Sequence, residues 1–354
     1  MDCHCGREYK KLLAKRTDIA WLSSVLGDGI QKSIIRYNRC TMKILITGGA
    51  GFQGSHLTES LLEKGHDVTI LNTHSDIISP NIAGFVDDVT LVYGSITDRT
   101  LIDKTVKGKD VVFHLAANIN VDQSLEDPYS FIECNVIGTH NVVEAVRQNN
   151  IRMIHASTCE VYGDGHDLKE GELLTESSAL MANSPYAASK AAADRWCHAY
   201  YRSFNTDITI VRPFNIFGER QKSGAFGAVI AIMVRRALAG QKLLVFGDGS
   251  ATRDFMHVSD LVRAYNLVLE HPELSGKAIN FASGVDTSVK DIAEYIAKKL
   301  NVEIENGPAR PGEVMRFPAD ISLAKSIGFE PQVSIWAGID RYIEWAKTAP
   351  APTK

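Results

Sequence analysis

Residues 43–65 read KILITGGAGFQGSHLTESLLEKG, and this stretch decides the fold. Ile44–Ile46 is a short apolar run rich in β-branched residues and closed by glycines, a pattern typical of a buried parallel strand. Leu57 and Leu61 follow at helical spacing, and Val68–Leu71 supplies a second apolar run. The order strand, glycine turn, helix and strand predicts the first unit of a doubly wound α/β sheet.

The glycines of this turn indicate a ligand. Gly48, Gly51 and Gly54 fall three residues apart between the strand and the helix. In dinucleotide-binding turns such glycines allow a tight turn, close approach of the backbone to a pyrophosphate, and close packing of helix on strand. The anion then lies at the helix N-terminus. Because a strand precedes the turn and a helix follows it, the stretch predicts nucleotide binding.

The composition is that of an ordinary globular enzyme. The chain has 354 residues, of which 45% are hydrophobic and 23% charged, enough for two domains with a sizeable core. A net charge of −4 gives no general attraction to nucleic acid or to an anionic membrane. No apolar run reaches the roughly 18 residues that a membrane span needs. The six cysteines are scattered, which predicts reduced cytoplasmic thiols rather than a disulfide framework.

Residues 1–41 form an N-terminal extension ahead of the first strand. Their apolar residues are compatible with an amphipathic helix, so a helical arm that packs on the body or on a sister subunit is expected, with a disordered tail as the alternative. The segment lacks the continuous apolar core of a signal peptide. Cys3-His4-Cys5 has no evident second pair of ligands, and no metal site is predicted.

Strand and helix patterns alternate along residues 42–212, which predicts a nucleotide-binding domain built on a doubly wound parallel Rossmann sheet. Beyond residue 213 the loops lengthen and turn signals multiply. Residues 213–354 are therefore expected to form mainly a smaller mixed α/β subdomain that binds the substrate and exchanges segments with the core. After the opening unit, the predicted strands are 89–93, 110–117, 153–157, 208–212 and 243–246, and the predicted helices are 101–106, 131–148, 186–204, 229–239, 258–269 and 288–300.

Tyr186 and Lys190 lie four residues apart in SPYAASK (184–190), which places them on one face of a predicted helix. A nearby ammonium lowers the pKa of a tyrosine, so that its phenolate becomes a usable base near neutrality. This spacing is common on ordinary helices. It becomes specific together with the glycine turn and with a strand that ends at Thr158.

From Met42 to about Lys347 the chain resembles the extended short-chain dehydrogenases/reductases of the NAD-dependent sugar-nucleotide epimerase/dehydratase family. The segments that carry the resemblance are GGAGFQG (48–54), HLAA (114–117), NVIGT (135–139), STCEVYG (157–163), SPYAASK (184–190), RPFNIFG (212–218), GDGSATRDFMHVSD (247–260) and RPGE (310–313).

The resemblance implies a site whose residues are spread along the chain. The implied hydride-transfer triad is Thr158, Tyr186 and Lys190. Binding of the cofactor NAD is implied for Gly48, Gly51, Phe52, Gln53, Gly54, Asn72, Ser95, Ile96, Leu115, Ala116, Ala117, Asn135 and Lys190. Binding of a nucleotide-diphosphate sugar is implied for Asn118, Asn215, Arg253 and Arg310. The two arginines suit this role because guanidinium forks match diphosphate oxygens.

The resemblance also implies a shared first step, in which Tyr186 takes the 4-hydroxyl proton of the sugar while C4 gives up its hydride to NAD⁺. The resulting 4-ketone acidifies C5. Glu160 stands where the family's dehydratases and decarboxylases have glutamate, whereas its 4-epimerases usually have a small or apolar residue. A carboxylate there can remove the C5 proton. The sequence thus predicts an NAD-dependent dehydratase that removes the 6-hydroxyl of an NDP-hexose, of the 4,6- or 5,6-type.

Cys159 departs from the common pattern. The dTDP-glucose-type 4,6-dehydratases have aspartate at this position, and GDP-mannose-type enzymes and decarboxylases have serine. A Cys-Glu pair resembles that of the 5,6-dehydratases that form exo-glycals and that of UDP-apiose/xylose synthases. A thiol with an ordinary pKa of about 8.5 could still donate a proton to a departing hydroxide. A small, packed core cysteine is the alternative.

Two cofactor positions also depart from the pattern that is usual in the family. At the end of the second strand, where NAD enzymes of the family usually carry an acidic residue for the ribose 2′-hydroxyl, the chain has Asn72. An amide can still hydrogen-bond a hydroxyl, and no arginine in this turn is available for a 2′-phosphate, so NAD is predicted rather than NADP. Ser95 replaces the aspartate that is usual near the adenine.

Several alternatives stay open. Glu160 weighs against a 4-epimerase, while no feature separates a dehydratase from a UDP-glucuronate decarboxylase. A non-catalytic protein that senses a dinucleotide would have signalled itself by loss of Thr158, Tyr186 or Lys190. A homodimer is expected, since family members commonly pair through the helices that correspond to 131–148 and 186–204. The apolar residues of these helices include Val142, Val143, Val146 and Trp196.

Overall fold

The computed structural model describes residues 41–73, 79–164, 171–222, 228–309 and 316–349. The compact unit described here lies within Met42–Lys354. The expected arm at 1–41 and the Cys3-His4-Cys5 segment lie outside the described residues, apart from Thr41.

The central sheet has seven strands: β1 (Lys43–Thr47), β2 (Asp67–Asn72), β3 (Thr90–Tyr93), β4 (Val111–His114), β5 (Arg152–Ala156), β6 (Ile208–Pro213) and β11 (Ala278–Phe281). Their spatial order is β11-β6-β5-β4-β1-β2-β3, and every neighbouring pair is parallel. This arrangement confirms the predicted doubly wound Rossmann sheet. The strand order reverses between β1 and β4, and ligands of such sheets bind at the carboxyl ends of the strands beside this reversal.

The helices around the sheet are α1 (Phe52–Glu63), α2 (Arg99–Val106), α3 (Val121–Glu126), α4 (Pro128–Phe131), α5 (Thr139–Asn149), α6 (Pro185–Phe204) and α8 (Val258–Glu270). The chain also forms a π-helix at Ile132–Gly138 and 3-10 turns at Val86–Asp88, Cys159–Tyr162 and Pro272–Leu274.

The sheet is covered on both faces because its strands are apolar on both sides. Leu57 of α1 and Leu261 of α8 belong to one cluster of buried residues. Val142 of α5 and Cys197 of α6 belong to a second cluster. Successive residues along the strands contribute alternately to the two clusters. Burial on both faces explains the nearly continuous apolar runs that identified the strands.

The C-terminal part has a hydrophobic core of its own, which includes Phe217, Val234 and Tyr342. Its helices are α7 (Val229–Leu238), α9 (Val289–Leu300), α10 (Ser322–Ser326) and α11 (Ile335–Thr348), and its short strands are β7 (Ile216–Phe217), β8 (Leu243–Phe246), β9 (Thr252–Asp254), β10 (Met256–His257), β12 (Asp286–Ser288) and β13 (Ile304–Gly307). This part is smaller and mixes helices with short strands, and its definition as a substrate-binding subdomain with a boundary at residues 212 and 213 stays a prediction.

The prediction of one regular helix over residues 131–148 is wrong. The first part of this segment is the π-helix Ile132–Gly138, and regular α-helix begins only at Thr139. Single π turns are frequent at functional sites because they re-aim a side chain. In the described part of the chain, no helix combines the length and the apolar character needed to cross a membrane.

Candidate active site

The glycine turn between β1 and α1 leaves no room for side chains. A Cβ on Gly54 would lie 2.2 Å from the Gly48 carbonyl oxygen, and one on Gly48 would lie 2.9 Å from the Ala116 nitrogen. Gly48 has a φ of +75°, which favours glycine, and its N–H donates to the Leu71 carbonyl oxygen at 2.7 Å. These contacts hold the first turn of α1 close against β1.

The N-terminus of α1 fits a pyrophosphate. Its N-cap is Gly51, and among the described residues no side chain caps it. The first N–H groups of the helix therefore have no competing acceptor at the cap, and they carry the positive end of the helix dipole. This exposed, glycine-lined helix end is the observation that fits a dinucleotide to the chain.

The segment after β4 closes the other side of the turn. The N–H groups of Leu115 and Ala116 donate to the carbonyl and hydroxyl oxygens of Thr47 at 3.1 and 3.2 Å. His114 lies beneath them, with Nδ1 2.7 Å from the Thr47 hydroxyl and Nε2 2.9 Å from that of Thr139. Burial, and then the charge of Lys190, lower the pKa of His114 to about 3, so this imidazole is neutral.

The other predicted cofactor residues follow the same edge of the sheet. Asn72 ends β2, where its Nδ2 donates to the Thr73 carbonyl oxygen at 3.4 Å. Ser95 and Ile96 follow β3, and the Ser95 hydroxyl lies 2.7 Å from that of Thr97. Other contacts of these residues are the edge-to-face packing of the Phe52 ring with His56, the hydrogen bond at 3.3 Å from Tyr265 to Gln53 Oε1, and the burial of Ile96.

Asn135 projects from the π-helix and is fully buried. Its Oδ1 accepts from the Asn118 N–H at 2.7 Å, and its Nδ2 donates to the Asn118 carbonyl oxygen and to the Ser189 hydroxyl, each at 2.9 Å. Ser189 in turn donates to the Tyr186 carbonyl oxygen at 2.7 Å. One amide thus ties the segment after β4 to the helix that carries Tyr186 and Lys190.

Tyr186 and Lys190 lie on α6, which begins with a capping hydrogen bond from the Ala187 N–H to the Ser184 hydroxyl at 3.1 Å. Lys190 donates from Nζ to the Ala156 carbonyl oxygen at 2.6 Å, at the end of β5. Burial lowers the pKa of Lys190 to about 8. Burial raises the pKa of Tyr186, while a hydrogen bond with the Thr158 side chain opposes the increase. The expected lowering of this pKa by the Lys190 ammonium is therefore wrong, because burial dominates.

Cys159 and Glu160 begin the 3-10 turn that follows Thr158. The Glu160 N–H donates to the Thr158 hydroxyl at 3.3 Å, and this bond starts the turn. The two residues therefore lie on a turn and not on a continuation of strand β5. Cys159 is 2% exposed, while Glu160 is half-buried. Within this pair, Glu160 has the side chain that a substrate can reach.

The electrostatics show that these groups share one site. Burial, and then the Glu160 charge, raise the pKa of Cys159, although a backbone hydrogen bond with Asn215 opposes this. Burial raises the pKa of Glu160, and the charge of Arg253 lowers it. The charge of Glu160 also raises the pKa of Tyr186. Glu160 therefore lies within electrostatic reach of Tyr186, Cys159 and Arg253.

Asn215 and Arg253 reach the site from the C-terminal part. Asn215 lies between β6 and β7, and its Nδ2 donates to the Asp254 carbonyl oxygen at 3.2 Å. Arg253 lies on β9, and its Nη1 donates to the Thr252 carbonyl oxygen at 2.7 Å. Arg310, the other predicted diphosphate ligand, lies outside the described residues. Among those described, no three His, Cys, Asp or Glu side chains are grouped so that they could hold a metal ion.

Sequence reasoning missed Ser189 and Thr47. The signal for Ser189 was available, because a serine three residues after Tyr186 on a helix can donate back to that carbonyl. Thr47 was also visible, as the last residue of β1 before the glycines. Its partners were not, because His114 and Ala116 are more than sixty residues away in the chain.

The fold and this site define a short-chain dehydrogenase/reductase. Residues 44–282 match the family model described as the NAD dependent epimerase/dehydratase family. The chain belongs to that family, and its cofactor is NAD.

Relatives of similar identity carry out different reactions. A putative UDP-glucose 4-epimerase of Methanocaldococcus jannaschii is 34% identical over 86% of this chain and 98% of the relative. A UDP-N-acetyl-alpha-D-glucosaminuronate decarboxylase of Bacillus cytotoxicus is 34% identical over 86% and 97%. A dTDP-glucose 4,6-dehydratase of Streptomyces niveus is 33% identical over 86% and 92%. Overall identity therefore does not choose the reaction.

The similar solved structures likewise include both dehydratases and epimerases. A dTDP-glucose 4,6-dehydratase from Streptomyces venezuelae with NAD bound has a TM-score of 0.78 and 31% identity, over 86% of this chain and 97% of that one. A UDP-glucose 4-epimerase from Thermus thermophilus in complex with NAD has a TM-score of 0.78 and 29% identity, over 87% and 100%. The reaction has to be inferred from the site.

Proposed function

We propose that the protein is a lyase, an NAD-dependent dehydratase that removes the 6-hydroxyl of an NDP-hexose as water. The observation that carries the proposal is the Glu160 carboxyl, half-buried and within electrostatic reach of Tyr186. A dehydratase needs two proton-transfer groups on one sugar, one at the 4-hydroxyl and one at C5. Tyr186 and Glu160 supply that pair.

Each step has a residue of this chain. When bound, NAD⁺ would accept the hydride from C4 and return it to the sugar after water has left, so that the net change is the loss of water alone. Tyr186 takes the proton of the 4-hydroxyl, with Thr158 as its hydrogen-bond partner. Glu160 then takes the proton from C5, which the 4-ketone has made acidic. Burial raises the pKa of Glu160, which brings this carboxylate nearer to the optimum for a base at neutral pH.

Loss of the 6-hydroxyl as water needs an acid at the leaving oxygen. Cys159 is nearly inaccessible, and burial raises the pKa of its thiol. The protonated Glu160 carboxyl is the stronger acid and the more exposed group. We therefore assign both transfers to Glu160, which takes the C5 proton and gives it to the departing oxygen. Cys159 then acts by packing beneath Glu160.

A decarboxylase is the second candidate, because the same glutamate stands in that branch of the family and a decarboxylase is among the relatives. A 4-epimerase is disfavoured, since its reaction returns hydride to C4 and has no use for a base at C5. Asn118, Asn215, Arg253 and Arg310 are proposed to bind the nucleotide-diphosphate sugar.

Product mass separates the three reactions. The purified protein is incubated with a panel of nucleotide sugars, and the products are analysed by mass spectrometry. Dehydration removes the mass of water, decarboxylation removes that of carbon dioxide, and epimerisation changes nothing. Loss of water from one substrate is expected. Loss of carbon dioxide alone would make the protein a decarboxylase, and an unchanged mass with an altered sugar would make it an epimerase.

Glu160→Gln tests the residue assignment. The variant is expected to form NADH when mixed with substrate, because Tyr186 and Lys190 are intact, but to release almost no dehydrated product. It should also fail to introduce deuterium from solvent at C5. Glu305→Gln, on an exposed position of β13, is the matched control and should behave as the wild type. Full elimination by Glu160→Gln would refute the dehydratase assignment of this residue.

We also propose a homodimer that pairs through the helices around 128–138 and α6. Val142, Val143 and Val146, which the sequence offered for this interface, are instead fully buried in the subunit core. Trp196 is 42% exposed, and other large apolar side chains exposed along these helices are Tyr129, Ile132, Ile137 and Phe204. Several large apolar side chains exposed on the same helices support a contact with another protein chain.

A further inference from the structure

A fully buried ion pair lies behind the catalytic residues. Arg212 of β6 donates from Nε to Asp194 Oδ2 at 2.8 Å and from Nη2 to Asp194 Oδ1 at 2.9 Å. The two side chains are 1% and 0% exposed. Burial opposes ionisation of Asp194, but the hydrogen bonds from Arg212 hold its pKa below the ordinary value. A bidentate buried pair of this kind has a fixed geometry.

Asp194 connects the pair to the catalytic helix. It lies on α6 four residues after Lys190 and eight after Tyr186, so all three side chains share one face. Arg212 therefore holds the helix segment that carries the proposed base for the 4-hydroxyl.

The remaining nitrogen of Arg212 connects to the other half of the site. Nη1 donates to the Tyr162 hydroxyl at 2.8 Å, and that hydroxyl donates to Asn280 Oδ1 at 2.7 Å. Tyr162 is the last residue of the 3-10 turn that begins at Cys159, two positions after Glu160. It is 2% exposed, so its hydroxyl has no route to the substrate. Asn280 is itself fixed, with Nδ2 donating to the Leu174 carbonyl oxygen at 3.0 Å.

We infer that Tyr162 is a positioning residue for Glu160. Its hydroxyl, held between Arg212 and Asn280, fixes the turn that carries Glu160 relative to the helix that carries Tyr186. The distance between the groups that act at C5 and at the 4-hydroxyl is then set by side chains that never touch the sugar. This inference rests on the proposed role of Glu160.

Loss of the Tyr162 hydroxyl is expected to affect only the step at C5. Without the Tyr162 hydroxyl, the turn loses its hydrogen bonds to Arg212 and Asn280 and keeps only the stacking of Arg212 on the ring, while Thr158, Tyr186 and Lys190 keep their own contacts. Misplacement of a reacting group by about 1 Å can reduce a rate by about 10²-fold. Oxidation at C4 is therefore retained, and proton removal from C5 is slowed.

Tyr162→Phe removes only this hydroxyl. We expect kcat for dehydrated product to fall about 10- to 100-fold, KM for the nucleotide sugar to stay within about twofold, and NADH to form on mixing as in the wild type. Solvent deuterium should enter C5 more slowly. The matched control is Tyr342→Phe, which removes the hydroxyl of another fully buried tyrosine, bonded to the Gln221 carbonyl oxygen at 3.3 Å in the C-terminal core.

The control separates positioning from general stability, because both variants lose the hydroxyl of a buried tyrosine. Equal kcat values and equal C5 exchange for Tyr162→Phe and Tyr342→Phe would overturn the inference. If Tyr162→Phe does not fold, Asn280→Ala removes the other partner of the same hydroxyl, and the same retained NADH formation with slowed C5 exchange is expected. Wild-type C5 exchange in that variant would likewise overturn the inference.

Glu160→Gln is measured in parallel so that a failure of the proposed function can be distinguished from a failure of the role inferred for Tyr162. Elimination at the wild-type rate by Glu160→Gln would remove the proposed function, and the role of Tyr162 with it. An inactive Glu160→Gln beside a fully active Tyr162→Phe would remove the role of Tyr162 alone.

Discussion

Lys190 is a catalytic candidate whose charged form is disfavoured by burial. Its ammonium is 5% exposed and donates to the Ala156 carbonyl oxygen at 2.6 Å. Burial lowers its pKa from 10.5 to about 8. A charged group with a lowered pKa destabilises the folded state, and at about 1.4 kcal/mol per unit the cost near pH 7 is about 3 kcal/mol.

Lys190→Met should therefore stabilise the protein while abolishing turnover. In protein freed of dinucleotide, we expect the free energy of unfolding at pH 7 to rise by about 1–3 kcal/mol, less than the full cost because the Ala156 carbonyl loses its donor. The cost in the wild type is fully present below the folded pKa of about 8 and is relieved as the pH rises towards the ordinary value of 10.5. The advantage of the variant should shrink across that range.

Urea unfolding at pH 7 and pH 10 measures this difference. The exposed Lys298→Met, on α9, serves as the control for loss of one positive charge. A stability difference between Lys190→Met and the wild type that is the same at both pH values would contradict the prediction.

The sequence was informative about single residues where a motif fixes their spacing. Tyr186 and Lys190 were placed on one helical face by their separation alone, and the structure has them on α6. The orientation of Cys159 was not available in this way. It follows from the 3-10 turn, which starts when the Glu160 N–H finds the Thr158 hydroxyl rather than a neighbouring strand. The turn leaves the Glu160 side chain more exposed than that of Cys159.

Among the elements, the π-helix Ile132–Gly138 was the least predictable. Its sequence has ordinary helical periodicity. The partners of Asn135 are Asn118 and Ser189, which lie 17 and 54 residues away. A buried amide with three such hydrogen bonds to two distant residues fixes the local backbone through tertiary contacts, which no window of neighbouring residues records.

Strand β9 matters because it brings Arg253 to Glu160. It is three residues long and pairs antiparallel with β12, where Arg253 lies opposite Thr287. The charge of Arg253 lowers the pKa of Glu160, against the increase caused by burial. The strand therefore contributes to the protonation of the proposed base as well as to the proposed binding of the substrate.

Arg253→Gln should raise the pKa of Glu160 further, because burial then acts without the opposing charge. Glu160 works as a carboxylate, so the acid limb of the pH profile of kcat should move to higher pH. KM for the nucleotide sugar should rise as well, since the proposed diphosphate contact is lost. Arg236→Gln on α7 is the control for loss of one arginine. An acid limb at the same pH in Arg253→Gln and wild type would contradict the electrostatic link.

At the scale of the whole molecule, the sequence predicted two parts and an exchange between them, but not the path of the chain. The seventh strand of the sheet, β11, follows β8 and β9 of the C-terminal part in the chain. It pairs with β6, and Ala278 lies opposite Ile210. That pairing joins residues 68 positions apart. Local patterns identify a strand, whereas its neighbour in a parallel sheet is set by how helices cover both faces.

The exposed apolar side chains around 128–138 and on α6 concern the molecule as an assembly. Trp196 is central to this surface, where its indole N–H donates to His140 Nδ1 at 3.2 Å. Burial of several large apolar side chains at about 25 cal/mol per Å² is a sufficient driving force for a stable contact between two copies. The same helices carry Tyr186 and Lys190, so pairing would also hold the catalytic helix in place.

Light scattering at micromolar concentration should therefore give a mass of about 78 kDa, twice the 38.9 kDa of the chain. Trp196→Glu places a charge on the proposed contact, and burying it without a partner costs more than the contact provides, so this variant should give the mass of a single chain. Trp336→Glu is the matched control, since Trp336 is similarly exposed on α11 in the C-terminal part and should leave the dimer intact. A wild-type protein that is monomeric at micromolar concentration would contradict the proposal. A dimer that survives Trp196→Glu would place the interface on another surface.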